Sequence, residues 1–316
     1  MSLYIITESE VIEPVVLEGV TFTTERTGVC GKLTFDILYD GINIPEGSVV
    51  QFTWDDYNLF QGYLFKKSMS DQDKMSITCY DQMRYLKNKD TYNFINMTAT
   101  EIIKQIAGDF NLRVGQLTDT KWKIASLPEK DKTLFDMITD ALNDTLVNTG
   151  ELYVFYDNFG NLTLKGLGEL KVGVLIDDET AQSFNYSSSI DDNTYNNIKL
   201  YYENSQTGIR DVYIANDNEN IKQWGVLQYY ESLNEGENGK EKADKLLKLY
   251  NAKTKRLTVS GAWGDCNVLA GRLIPVTLEI GEFTIDNFML VEKCTHHFKD
   301  NEHTMDLTLR GGEFNG

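Results

Sequence analysis

Only three of the 316 residues are histidine, four are cysteine and four are proline. The cysteines, Cys30, Cys79, Cys266 and Cys294, lie far apart and form no CxxC pair. That excludes a dense disulfide framework and reads as reduced thiols in a protein made in the cytosol. No run of about eighteen apolar residues occurs, so no membrane insertion by a helix is expected. The opening MSLYIITESE has neither the basic nor the apolar region of a signal peptide. Positive charge is scarce as well: 30 basic against 48 acidic side chains leave a net charge of −18. A protein that grips nucleic acid by neutralising phosphates is thereby disfavoured, whereas an acidic wall past which DNA slides fits. Nucleotide-binding signatures are missing too, since no GxGxxG follows a strand and no GxxxxGK[ST] occurs.

Aromatic residues are present in number, with seventeen Tyr and fifteen Phe, and they favour strands. The length predicts two or three domains. Up to about residue 90 the chain reads as strands joined by polar turns. In GKLTFDIL, Leu33, Phe35 and Ile37 alternate with Thr34 and Asp36, and GSVVQFTW, LFQGYLFKKS and MSITCY follow. Four or five such strands suggest a small antiparallel sheet or barrel.

From 91 to 184 the pattern changes to α+β. Thr98 and Glu101 form a capping box ahead of EIIKQIAGDF, and TLFDMITDALNDT carries a second apolar stripe. ELYVFYDNFGNLTLKG reads as a hairpin. From 185 to 316 strands return in NNIKLYYEN, GIRDVYIA, IKQWGVLQYY, KRLTVSG, RLIPVTLEI, NFMLVEKCTHHF and EHTMDLTLR, with a helical insertion near 238–252. The order GSVVQFTW, LFQGYLFKKS, KMSITCYD from Gly47 parallels GRLIPVTL, DNFMLVEKC, HTMDLTLRG from Gly271, the pattern of two copies of one β module.

All three histidines fall in KCTHHFKDNEH, Lys293 to His303. With a turn at Asp300-Asn301, Phe298 faces His303, His296 faces Met305 and Cys294 faces Leu307, while His297 points to the other side of the sheet. Cys294, His296 and His303 are the candidate metal ligands. They are strung along the ladder, His296 and His303 diagonal at roughly 7–8 Å between Cα atoms. Zinc needs donors converging on one point about 2.0–2.3 Å away. A partly buried, aromatic-rich hairpin is therefore expected rather than a metal site, and no cofactor is called for.

No catalytic residue is assigned. Asp55-Asp56, Asp177-Asp178 and Asp191-Asp192 have the character of turn formers. A serine nucleophile lacks both a GxSxG elbow and a histidine outside the hairpin. The lysines of KADKLLKLY are diluted by acids and read as a solvated helix face.

The run LFQGYLFKKSMSDQDKMSITCYDQMRYLKNKDTYNF, then MTATEIIKQIAGDFNL, TLFDMITDALNDT and LYVFYDNFGNLTLK, resembles the baseplate hub protein of PBSX-like defective prophages. That group lies within the late control D and contractile-tail hub family and occurs also in R-type bacteriocins. The resemblance is sharpest from Gly47 to Lys165 and reaches the end of the chain by order of elements. It implies a fold of two tail-tube-like antiparallel β-barrel modules, 1–90 and 185–316, flanking an α+β domain. It also implies a homotrimer whose six modules make a ring between the six-fold tail tube protein and the three-fold spike protein, with other baseplate components around it. DNA or a tape-measure protein would pass through the lumen without tight binding. The product would be a structural, non-enzymatic part of a tail or bacteriocin particle. The rivals are a cell-wall-degrading tail enzyme and a host-surface binding module. Some relatives carry a fused lysozyme or peptidase domain, for which this chain has no further residues.

Overall fold

The computed structural model describes residues 1–70, 73–177, 179–203, 207–233, 236–281 and 283–311. The first module contains β1 (Ser2–Ile6), β2 (Val11–Ile12), β3 (Val16–Glu25), β4 (Lys32–Leu38), β5 (Val49–Trp54), β6 (Tyr57–Met69) and β7 (Lys74–Tyr80). Every second residue of β5 is buried, Val50, Phe52 and Trp54, so one face of the sheet makes the core and the other faces out.

The middle region follows, with β8 (Lys89–Thr98), α1 (Ala99–Asp109), β9 (Val114–Leu117), β10 (Lys123–Thr133), α2 (Leu134–Thr149), β11 (Tyr153–Asp157) and β12 (Leu162–Gly166). Helix α1 starts on the expected reciprocal cap between Thr98 and Glu101. Ile102, Ile103 and Ile106 of α1 pack with Leu134, Met137 and Ile138 of α2 in a core separate from that of the first module. The pair β8–β10, which crosses this region, has no clear period two in sequence because most of β8 is exposed.

The last region holds β13 (Ser183–Ser189), β14 (Asn197–Glu203), β15 (Arg210–Asn216), α3 (Asn218–Trp224), β16 (Gln228–Ser232), α4 (Gly239–Tyr250), β17 (Thr254–Trp263), β18 (Leu273–Ile280), β19 (Phe283–Lys299) and β20 (Glu302–Gly311). IKQWGVLQYY, expected as one strand, is instead the end of α3 followed by β16. The reason is topological: β15 ends beside Asn197 on one edge of β14 and β16 starts beside Asn197 on the other, so the segment between them has to pass the end of β14, and α3 makes that crossing. Asp217 caps α3 and Gly225, at φ 78°, ends it.

The chain is mainly β. Twelve strands form one antiparallel sheet in the order β13-β17-β20-β19-β3-β4-β7-β6-β5-β1-β2, with β18 also on β19. The two β modules are thus hydrogen-bonded to each other through β19 and β3, from Lys293↔Glu25 to Phe298↔Val20.

The internal parallel seen in sequence is present in three dimensions. Strands β5, β6 and β7 form a meander, as do β18, β19 and β20. Gly47 and Gly271 both begin their meander at positive φ, 91° and 87°, where a side chain is disfavoured. Gly47 N donates to Leu64 O at 2.8 Å and Leu64 N to Ser48 O at 2.9 Å. In the second copy Gly271 N donates to Val291 O at 2.7 Å and Val291 N to Arg272 O at 2.9 Å. One residue after each corner the ladder shifts register, between Leu64 and Lys66 and between Val291 and Lys293.

Candidate functional site: the seam and the histidine hairpin

Strand β19 is long because it serves two modules. Its first half pairs with β18 and, past the bulge at Glu292, its second half pairs with β3 on the same edge while β20 holds the other. Glu292 marks the changeover: its carboxylate accepts from Arg26 Nε at 2.8 Å and forms an ion pair with Arg310, 2.7 Å from its Nε. Lys293 and Glu25 add an ion pair at 2.9 Å. Farther along, Phe298 leaves its own module and enters the first module's core, against Phe52 at 5.0 Å and Trp54 at 4.9 Å between ring centroids.

The hairpin register is the one the sequence predicts: Phe298↔His303, His296↔Met305 and Cys294↔Leu307. His297 is on the other face, with Nε2 3.1 Å from Asp306. Cys294, His296 and His303 do come together, more closely than their Cα spacing suggested, but as a hydrogen-bonded chain. His296 Nε2 lies 2.7 Å from Val268 O, and a carbonyl only accepts, so this nitrogen carries the hydrogen. The buried ring is neutral, its pKa pushed down to about 3 chiefly by desolvation and then by His303. Its Nδ1 lone pair therefore accepts from His303 Nε2 at 2.9 Å. The Cys294 thiol donates to Val268 O at 3.3 Å, and burial holds its pKa well above the usual thiol value. Both ring nitrogens of His296 are thus committed within the chain. Among the described residues no three His, Cys, Asp or Glu side chains are placed to share one ion.

Three contributors to this cluster had no signal in the sequence. Val268 and Cys266 come from the loop after β17, and Trp54 from the end of β5. His303 Nδ1 faces Cys266 Sγ at 4.0 Å across an open polar pocket of about 360 Å³, lined also by Asp55 and Asp265. Asp55 sits in the β5–β6 turn at φ 49°, and Asp177 Oδ1 accepts from Glu179 N and Thr180 N, the turn-forming roles expected of those acids. Its neighbour Asp178 lies outside the described residues. In α4, Lys242 is tied to Glu231 and Glu237 and Lys245 to Glu241.

A second buried polar cluster, Asp81 with Asp157, joins the first module to the middle region. Asp81 accepts from Gly31 N and Met83 N, and Asp157 from Gly160 N and Gln82 Nε2. Desolvation, with the mutual repulsion second, pushes Asp81 well up; desolvation takes Asp157 to about 6. Raised carboxyls stabilise the fold at low pH, and that stability is lost as pH rises through the folded value.

The histidines have the opposite sign. A depressed folded pKa gives stability that is present above the ordinary value near 6.5 and lost as pH falls. For His296 the loss between pH 7 and pH 5 is about 2 kcal/mol, from about 1.4 kcal/mol per pKa unit. A His296→Leu variant is expected to be less stable than wild type at pH 7, with the gap shrinking by that amount at pH 5. Urea unfolding of both chains at the two pH values checks this, and a gap independent of pH would contradict the neutral buried ring.

The continuous antiparallel sheet with its repeated meander is an architecture of phage tail proteins. The 43 kDa tail protein of prophage MuSo2 from Shewanella oneidensis superposes on it with a TM-score of 0.70, covering 98% of this chain and 98% of that one at 16% identity. The fold is thus that of a prophage tail protein. A family model described as YQBQ-like matches residues 20–310, and the chain belongs to that family. It is similar to the uncharacterized protein YqbQ of Bacillus subtilis strain 168, 32% identical over 319 aligned positions that cover 98% of this chain and 96% of the relative. It is also similar to the phage-like element PBSX protein XkdQ of the same strain, 31% identical with the same coverage.

Proposed function

We propose that the chain is the structural baseplate hub of a contractile tail or tail-like particle. Residues 1–90 and 185–316 act as two tube-like modules and 91–184 as an outward α+β domain. Three chains supply six modules in a ring that adapts the tail tube protein to the spike protein. The observation that carries this reading is the duplication: both modules have the same strand order, the same glycine corner and the same bulge. Two such modules in one chain are what a three-fold ring needs to meet six-fold tube symmetry.

The surface supports a protein that works in an assembly. Val212 and Ile214 of β15 and Tyr230 of β16 stand exposed on one sheet face, and Trp263 is 74% exposed at the end of β17. Faces of this kind are covered by partners. The net charge of −18 suits a lumen that lets DNA or a tape-measure protein pass without sticking. No helix among the described residues is long and apolar enough to cross a membrane. On the hub reading, the chain assembles in the cytoplasm and is then built into the particle. Both ring nitrogens of His296 are engaged within the seam, and the acids at Asp55 and Asp177 form turns, which supports a structural, non-enzymatic role.

Negative-stain microscopy of the chain mixed with its tube and spike proteins is expected to show a three-fold ring with a central hole. A chain that binds neither partner, or that hydrolyses cell wall when alone, would overturn the reading.

A further inference from the structure

The internal seam has an open counterpart. Matching the two meanders at Leu64 and Val291 and counting past the shared bulge, Lys66 corresponds to Lys293 and Ser68 to Thr295. On the far side of each module the ladders match as well. Val20 faces Phe35 and Phe35 faces Ile77; Phe184 faces Val259 and Val259 faces Leu307. Since Ile77 and Leu307 occupy the same place in the two copies, β3 corresponds to β13, with Thr23 at the position of Ser187 and Glu25 at that of Ser189.

One further contact supports the match. Cys294 Sγ bonds Val268 O at 3.3 Å, and at the equivalent place Lys67 Nζ bonds Ile44 O at 2.7 Å.

Within the chain, the edge of β19 past Val291 is filled by β3, with Thr295 opposite Thr23 and their hydroxyls 3.3 Å apart. The same edge of β6 past Leu64, opposite β7, carries no strand among the described residues, where β5 has already ended at Val49↔Tyr63. The equivalent of β3, strand β13, is the end of the sheet. Its sequence SFNYSSS contains no charge and no proline, the devices by which edge strands guard themselves against pairing. Ser68, Ser183, Asn185, Ser187 and Ser188 are exposed.

We propose that β6 of one chain pairs antiparallel with β13 of a second copy, in the register of the internal seam: Ser68 opposite Ser187 and Lys66 opposite Ser189. This pairing gives two edges that carry no further strand among the described residues a partner strand each. The contact is heterologous, so it propagates from chain to chain and closes when the rotation permits. Internal and intermolecular seams then alternate around the ring. The count of three rests on the hub reading above; the identity of the two edges and their register comes from the duplication in this chain.

The test is a full-length Ser68→Cys/Ser187→Cys variant, examined by light scattering and then mildly oxidised and run on a non-reducing gel. Both positions are exposed, so the substitutions leave the fold intact, and the native cysteines are buried or half-buried. The expected result is a trimer whose chains become covalently linked, with bands ending at three. A Ser68→Cys/Asn185→Cys control, two residues out of register, is expected to cross-link at least tenfold more slowly. A trimer that fails to cross-link, or links equally well out of register, overturns the seam and leaves the hub reading standing. A chain that remains monomeric and uncrosslinked overturns the seam and the trimer together.

Discussion

Replacing Phe298 with alanine is expected to destabilise the protein by about 3–5 kcal/mol, the cost of emptying a large aromatic site in a packed core. The effect comes from where the ring is, not from the strand that bears it. Phe298 is 1% exposed and sits among residues of the first module, its ring packed on Phe52, Trp54 and the His303 imidazole, the last at 4.3 Å. The second module's last hairpin thus closes the first module's core. Loss of the ring should lower the urea midpoint and change the emission of Trp54 before the bulk of the β signal is lost. A loss below about 0.5 kcal/mol, the ordinary size of a surface change, would show that the two modules are stable without this contact.

Gly19→Ala is expected to be comparably costly, by about 2–6 kcal/mol, through the seam itself. Gly19 has φ 98°, a backbone state that costs an alanine about 1–3 kcal/mol. An added Cβ would also lie 2.3 Å from the carbonyl oxygen of Phe298, so β3 and β19 must separate to admit it. Overpacking of that kind adds about 1–3 kcal/mol. Because Gly19 and Phe298 act through one contact, the double variant should lose less than the sum of the singles. Thermal or urea melts of the four chains measure this, and strict additivity would mean that the two residues belong to independent units.

The elements with clean periodicity were legible from sequence. Alternation in GKLTFDIL and GSVVQFTW, the Thr98–Glu101 cap and the turn at Asp300-Asn301 are local effects, set by side chains a few residues apart. They predicted β4, β5, α1 and the hairpin register correctly. Where a neighbour distant in sequence decides, local pattern failed. IKQWGVLQYY has apolar residues suited to a strand, yet its first part is helical because the chain must pass the end of β14 to bring β16 to the edge opposite β15. The exposed β8 showed no alternation because only Phe94 and Thr98 of its residues are buried, so neither face is continuously covered.

The candidate site followed the same division. Composition and hairpin geometry were enough to place Cys294 and His296 on one face with His303, and to set His297 apart. They could not show that Val268, more than twenty residues upstream, would take the His296 hydrogen, or that Trp54 and Phe52 of the first module would surround the hairpin tip.

By itself the sequence determined the β-rich composition, the acidic charge, the repeated order of three strands and the faces of the last hairpin, because these depend on residue type and spacing of two to four. Only the tertiary structure decided that the repeated modules share a glycine corner and a bulge, that β19 joins them through β3, and that two matching edges, on β6 and β13, carry no further strand among the described residues. Strand pairing across more than two hundred residues depends on which backbone edges meet. No local pattern of side chains encodes that.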